Sequence, residues 1–162
     1  MSPIDTRLKS LDVVLPDVMP PVVDGYVSAF APFVRSGDHI YLSGRLGKED
    51  GKLLCGKVGD EIILDRAKLA ARSVAIELLA VLKVAVGDLD RVRRIVKLLV
   101  MVNGAPHFTE PHKVADGASE FLVQVFGERG IHARSSCCVA QLPFGVCVEA
   151  DMIAEVAPIA QK

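Results

Sequence analysis

Only two segments of this chain have a helical period, and that number limits what it can build. Asp65 to Val86 is the clearer one, with Asp65 as N-cap or first-turn acid and Gly87 as its stop. Asp65, Lys68 and Arg72 form one polar stripe, while Leu69, Val74, Ile76, Leu78, Leu79, Val81 and Leu82 cover most of the remaining circumference. That pattern predicts a helix buried on most sides. Phe108 to Phe126 is the second, with Val114, Ala118, Phe121, Leu122 and Val125 on one face and Gly127 beyond its end.

The other apolar segments read as strands. Val27 to Arg35 is demoted to an edge or bulged position by Pro32, and the turn Ser36-Gly37-Asp38 leads into His39 to Leu42, ending in Ser43-Gly44. Lys48 to Gly59 is a loop or short hairpin. Arg91 to Asn103 holds the run Leu98 to Val102. His132 to Gln141 and Val146 to Val156 are joined by the turn Leu142-Pro143-Phe144-Gly145, which reads as a terminal hairpin. The order strand, strand, helix, strand, helix, strand, strand predicts an α+β fold, one sheet with two helices on one face. Residues 1–25, with Pro3, Pro16, Pro20 and Pro21, read as an irregular arm before a single domain over 26–158. Two helices leave the second sheet face bare, and 51% hydrophobic residues in 162 call for a cover, so a partner subunit is expected there.

Charge narrows the function. Nineteen basic and 20 acidic residues give a net charge of −1, aromatics are 5% and Trp is absent, so no nucleic-acid partner is expected. The longest uncharged stretch, Ser135 to Val148, falls short of the roughly 20 residues a membrane span needs and contains Pro143 and Gly145. Asp5, Arg7, Lys9 and Asp12 interrupt the start, unlike a secretory signal, which suggests a cytoplasmic protein with free thiols. Cys55, Cys137, Cys138 and Cys147 read as small buried apolar residues. His107 and His112 lack metal-ligand spacing and no clustered Cys or carboxylate completes a site, so no metal is expected.

The last strand alternates. Val146, Val148, Ala150, Met152 and Ala154 belong on the helices, which turns Cys147, Glu149, Asp151, Ile153 and Glu155 to the bare face. An ionised Glu149 there is costly unless paired or wet. The preceding strand has one charge in its middle, Arg134, and a guanidinium grips a carboxylate with two parallel hydrogen bonds. Taken alone, these two residues fit a structural ion pair at a subunit interface as well as they fit a ligand site.

The pieces Ala133-Arg134-Ser135, Leu142-Pro143 and Val148-Glu149 resemble the C-terminal signature of the RidA/YjgF family of reactive-intermediate deaminases, also labelled endoribonuclease L-PSP. Tyr41-Leu42-Ser43-Gly44, Gly87 to Val92 and Asp116 to Ser119 are similar to further family segments, over roughly residues 27–156. The resemblance implies a chorismate-mutase-like fold and a homotrimer with a central β-barrel and clefts between subunits. It also implies hydrolysis of enamine and imine acids such as 2-aminoacrylate and 2-iminopropionate to 2-oxo acid and ammonia, without cofactor. By that likeness Arg134 would bind the substrate carboxylate and Glu149 would activate water. Ser43, Gly44 and Ser136 would hold the substrate. Phe30 stands where the family often has Tyr, with Tyr26 as a conceivable substitute. Asp116 replaces an Asn, and Arg45 replaces a Gln, a cation that would favour a larger or dianionic acid at the mouth. The alternative is a non-catalytic trimer that binds small carboxylates. An RNA-cleaving enzyme is disfavoured by the charge.

Overall fold

Ser2 caps a helix that the proline-rich start of the chain conceals. In the computed structural model, which describes residues 2–19, 22–23 and 26–158, α1 spans Pro3–Ser10. Pro3 sits in the first turn, where a missing N–H costs nothing, and Ser2 Oγ accepts the Asp5 N–H at 3.2 Å. Ile4 and Leu8, one turn apart, are buried in the main core, and Lys83 pairs with Asp5 at 2.7 Å. The stretch expected to be irregular therefore contains a docked helix.

Two short strands, β1 (Val22–Val23) and β2 (Tyr26–Val27), pair with each other. Next come β3 (Phe33–Ser36) and β4 (His39–Leu46), then a hairpin of β5 (Lys48–Glu49) and β6 (Lys52–Leu53). The strand expected over Val27 to Arg35 is split around Pro32, as a residue without an N–H donor dictates. The helix α2 (Leu64–Val86) follows, with Asp65 in its first turn, Ile63 at the N-cap and Gly87 ending it at φ 78°. Then come β7 (Val92–Asn103), α3 (Pro111–Phe126), β8 (Ala133–Val139) and β9 (Val148–Val156).

The five-stranded sheet has the order β3-β4-β9-β7-β8, with β7 and β8 parallel and all other neighbours antiparallel. The expected terminal hairpin does not form, because β9 inserts between β4 and β7 and leaves β8 at an edge. The composition explains the choice. Val148, Ala150, Met152, Ala154 and Val156 are all buried, which suits a central strand, while β8 carries Arg134, Ser135 and Ser136 and is tolerable at an edge. The turn at Pro143 reverses the chain without making its two flanks neighbours.

Both long helices cover one face. They approach so closely that a Cβ on Gly117 would lie 1.9 Å from the Lys68 carbonyl oxygen, so the crossing requires glycine. The burial of α2 is less complete than its composition suggests, since Leu69 and Val84 are exposed. The opposite sheet face is bare in the single chain. Tyr41 and Val34 are exposed there, and Leu99, Met101 and Ile153 are half-buried. Among the described residues, no helix is long and apolar enough to cross a membrane.

Candidate functional site

Strand alternation sends Arg134 and Glu149 to opposite sides of the sheet. Arg134 is in register with Leu98, which is buried under the helices, and Glu149 is in register with Met101 on the bare face. Their strands flank β7, so the Cα atoms are about 10 Å apart across the sheet and about 10 Å apart along it. Within one chain these two charges therefore do not meet. Each has its own surroundings.

Glu149 lies beside a bulge in β4. The register passes from Leu42↔Met152 to Arg45↔Ala150, which leaves one extra residue at Ser43-Gly44. The bulge is tied to the segment before β3: Ser43 Oγ donates to the Ala31 carbonyl at 2.7 Å, and Ser43 N–H donates to the Pro32 carbonyl at 3.0 Å. The Glu149 carboxylate rests against Gly44, where a Cβ would come within 2.2 Å of Oε1. Among the described residues it has no hydrogen-bond or ion-pair partner. Burial, with the nearby Asp151 carboxylate adding to it, pushes the Glu149 carboxyl above its ordinary value. Asp151 is itself raised by burial, against the pull of Lys97, whose Nζ donates to Ser135 Oγ at 2.8 Å. The bare face therefore holds two half-buried carboxyl groups, each easier to protonate than a free one.

Arg134 is held by α3. Its Nη1 donates to Asp116 Oδ1 at 2.9 Å and to Ser119 Oγ at 3.0 Å, and its Nη2 donates to the His112 carbonyl at 3.3 Å. Ser119 also contacts His132 Nε2 at 3.0 Å, and His132 Nδ1 lies 2.6 Å from the Gly130 carbonyl. A carbonyl only accepts, so Nδ1 carries the proton and Nε2 accepts from the serine hydroxyl. Burial lowers the His132 pKa, which favours this neutral ring. Sequence reasoning missed Ser119 and His132. The signal was there, since Ser119 is one turn from Asp116 on α3 and His132 is two residues from Arg134.

The remaining expected residues divide between these places. Ser136 is half-buried in register with Val100, on the same side of β8 as Arg134. Phe30 is exposed, one residue before the carbonyl that anchors Ser43. The side chain of Tyr26 lies outside the described residues. Arg45 is corrected: in register with buried Ala150, it turns toward α2 and feels Glu77, away from the Glu149 mouth. Burial lowers its pKa, and its Nε is buried without a partner among the described residues. The cysteines are corrected as well. Only Cys147 is buried, its thiol pushed up to about 12 by burial, while Cys55, Cys137 and Cys138 are exposed.

Comparison with known proteins places the chain. Residues 6–156 match the family described as "YjgF/chorismate mutase-like, putative endoribonuclease". Protein TCP17 of Trypanosoma cruzi is 42% identical over 154 residues, 94% of this chain and 93% of that protein. A crystal structure of a protein of unknown function from Agrobacterium tumefaciens is 39% identical, with a TM-score of 0.83 over 94% of this chain and 91% of that one. RidA from an Antarctic Psychrobacter is 26% identical, with a TM-score of 0.54 over 81% of this chain and 91% of its own. The fold, the Arg134 and Glu149 strands and these matches agree: the chain belongs to the YjgF/chorismate mutase-like family.

Proposed function

We propose that this protein hydrolyses small imine and enamine carboxylic acids to 2-oxo acids and ammonia, at clefts formed between copies of the chain. The observation that carries this reading is the Glu149 carboxyl, raised above its ordinary value and resting on Gly44 at an uncovered sheet face. A carboxylate with a raised pKa is a better proton acceptor near neutral pH than an ordinary one. The similarity to RidA supports the reaction class.

In the proposed step, Arg134 of one protomer grips the substrate carboxylate and Glu149 of a neighbour holds the water. The water oxygen bonds to the imine carbon as the C=N π pair moves onto nitrogen, and Glu149 takes the water proton. Glu149 passes that proton to the nitrogen, which gives the neutral aminoalcohol. It then takes the hydroxyl proton as the oxygen forms the C=O bond and the C–N bond breaks, and hands it to the departing nitrogen, so ammonia leaves the 2-oxo acid carrying both water protons. An imine carbon is already electrophilic, so positioning and proton transfer suffice. A trimer with its bare sheet faces turned inward would cover Tyr41, Leu99, Met101 and Ile153 and bring edge strand β8 of one protomer toward the next.

A second reading is a trimer that binds small carboxylates without turnover. The Asp116–Arg134 ion pair favours it, because a substrate must share the guanidinium, and so does Phe30, which has no hydroxyl. Ammonia release from 2-iminopropionate, generated in situ by an amino-acid oxidase, separates the two. Acceleration by wild type and not by Arg134→Ala or Glu149→Gln is expected. Binding of a 2-oxo acid with no acceleration by any imine would establish the second reading.

A further inference from the structure

A guanidinium has five N–H donors, and in Arg134 the chain itself takes up three. Among the described residues, the Nε–H and one Nη2–H are left unpartnered. The Nε–Nη2 edge of a guanidinium carries two parallel donors, which suits the two oxygens of one planar carboxylate. Serine and histidine keep this arrangement fixed: His132 Nε2 accepts from the Ser119 hydroxyl, so Ser119 Oγ presents a lone pair to Arg134.

The charge count is as informative as the donor count. Arg134 contributes +1, Asp116 −1, and His132 is neutral. Around α3, Lys113 pairs with Glu110 and Lys68 with Glu120, and Arg72, stacked on the Phe121 ring, shares a groove with Asp65. This chain's part of the site therefore has two open donors and no surplus positive charge among the described residues. A single carboxylate needs only the donors. A second negative charge gains nothing from a neutral ion pair and is repelled by Asp116, on the same guanidinium.

We propose that Asp116 is the specificity-determining residue of this site, restricting Arg134 to acids with one carboxylate and turning away dicarboxylates and phosphorylated acids. This deepens the deaminase reading and rests on it, because it takes Arg134 as the carboxylate anchor. The substrates admitted are imines of amino acids with uncharged side chains, and those of acidic amino acids are refused. Arg45, which the sequence suggested would favour a dianion, faces α2 and does not oppose this selection.

The test is calorimetric titration of wild type, Asp116→Asn, Asp116→Glu and Arg134→Ala with 2-oxobutanoate and with 2-oxoglutarate. Wild type should bind 2-oxobutanoate at least tenfold more tightly than 2-oxoglutarate. Asp116→Asn should shrink that preference about tenfold, chiefly by binding 2-oxoglutarate more tightly, and Asp116→Glu should restore it. Equal preference in wild type and Asp116→Asn, with both acids lost in Arg134→Ala, would overturn the role of Asp116 and leave the anchor intact. Unchanged binding in Arg134→Ala, or no binding of either acid by wild type and Asp116→Asn, would overturn both readings.

Discussion

Replacing Gly44 with alanine puts a methyl group where the Glu149 carboxylate now rests. The new Cβ would sit 2.2 Å from Oε1, and a carbon–oxygen contact needs about 3.3 Å, so the carboxylate must retreat by about 1 Å. The retreat is easy, because Glu149 is half-buried, flexible and unpartnered among the described residues. Gly44 does not have a positive φ, so alanine also removes some freedom from the unfolded chain, a gain of roughly 0.4–1 kcal/mol. Net stability should stay within about 1 kcal/mol of wild type, a Tm shift under about 4 °C. Turnover is another matter, since a 1 Å misplacement in a reacting site costs on the order of 100-fold. The control is Gly117→Ala, whose Cβ would meet the Lys68 carbonyl oxygen at 1.9 Å, a backbone atom of a packed helix. That variant should lose about 3 kcal/mol, or roughly 10 °C in Tm. Thermal unfolding and ammonia release, measured on both variants, check the argument. Wild-type turnover in Gly44→Ala would refute the claim that the Glu149 position matters, and a collapse as deep as that of Gly117→Ala would refute its freedom to retreat.

Glu149→Gln should lower turnover by about 10²–10⁴-fold while 2-oxo acid binding persists, compared by rate assay and calorimetry. Because burial raises the Glu149 pKa, the acid limb of the rate profile should lie above the ordinary glutamate value of 4.5, and Asp151→Asn should move it down by removing a like charge. The same shift has a stability sign: a carboxyl raised in the folded state favours folding when protonated, and this advantage is lost as pH rises from 4.5 through the folded pKa. Wild type measured against Glu149→Gln by urea unfolding should therefore lose relative stability across that interval. Tyr41→Asp and Leu99→Asp, on the bare sheet face, should lower the oligomeric mass in sedimentation while α2 and α3 keep their circular dichroism.

Local rules made the inner half of the fold legible. Helix periods and stop signals located α2 and α3 within a few residues, and alternation placed Val148 to Val156 under the helices and Glu149 on the open side. Strand adjacency was not legible, since Leu142 to Gly145 signals a reversal and says nothing of the neighbour across the sheet. Only the greater burial demand of β9 over β8 decides that, and it is a property of the whole layer. The helix α1 was hidden because its prolines suggest a loop, although Pro3 in a first turn is a start signal. Within the site, residue types were readable and partners were not. Asp116 and Ser119 meet Arg134 across 18 and 15 positions, and Ser119 meets His132 across 13, through a parallel crossover that the sequence does not announce.

Arg134 and Glu149 occupy opposite sides of one sheet, and that has a kinetic consequence on the proposed reading. Arg134 is already aimed by its own α3, so each chain arrives with a finished anchor and a finished base that cannot serve the same molecule of substrate. Catalysis then belongs to the assembly rather than to the fold. Rate per chain should fall on dilution below the dissociation constant of the assembly while every chain stays folded, and mixing Arg134→Ala with Glu149→Gln should recover activity through clefts that pair one intact half from each.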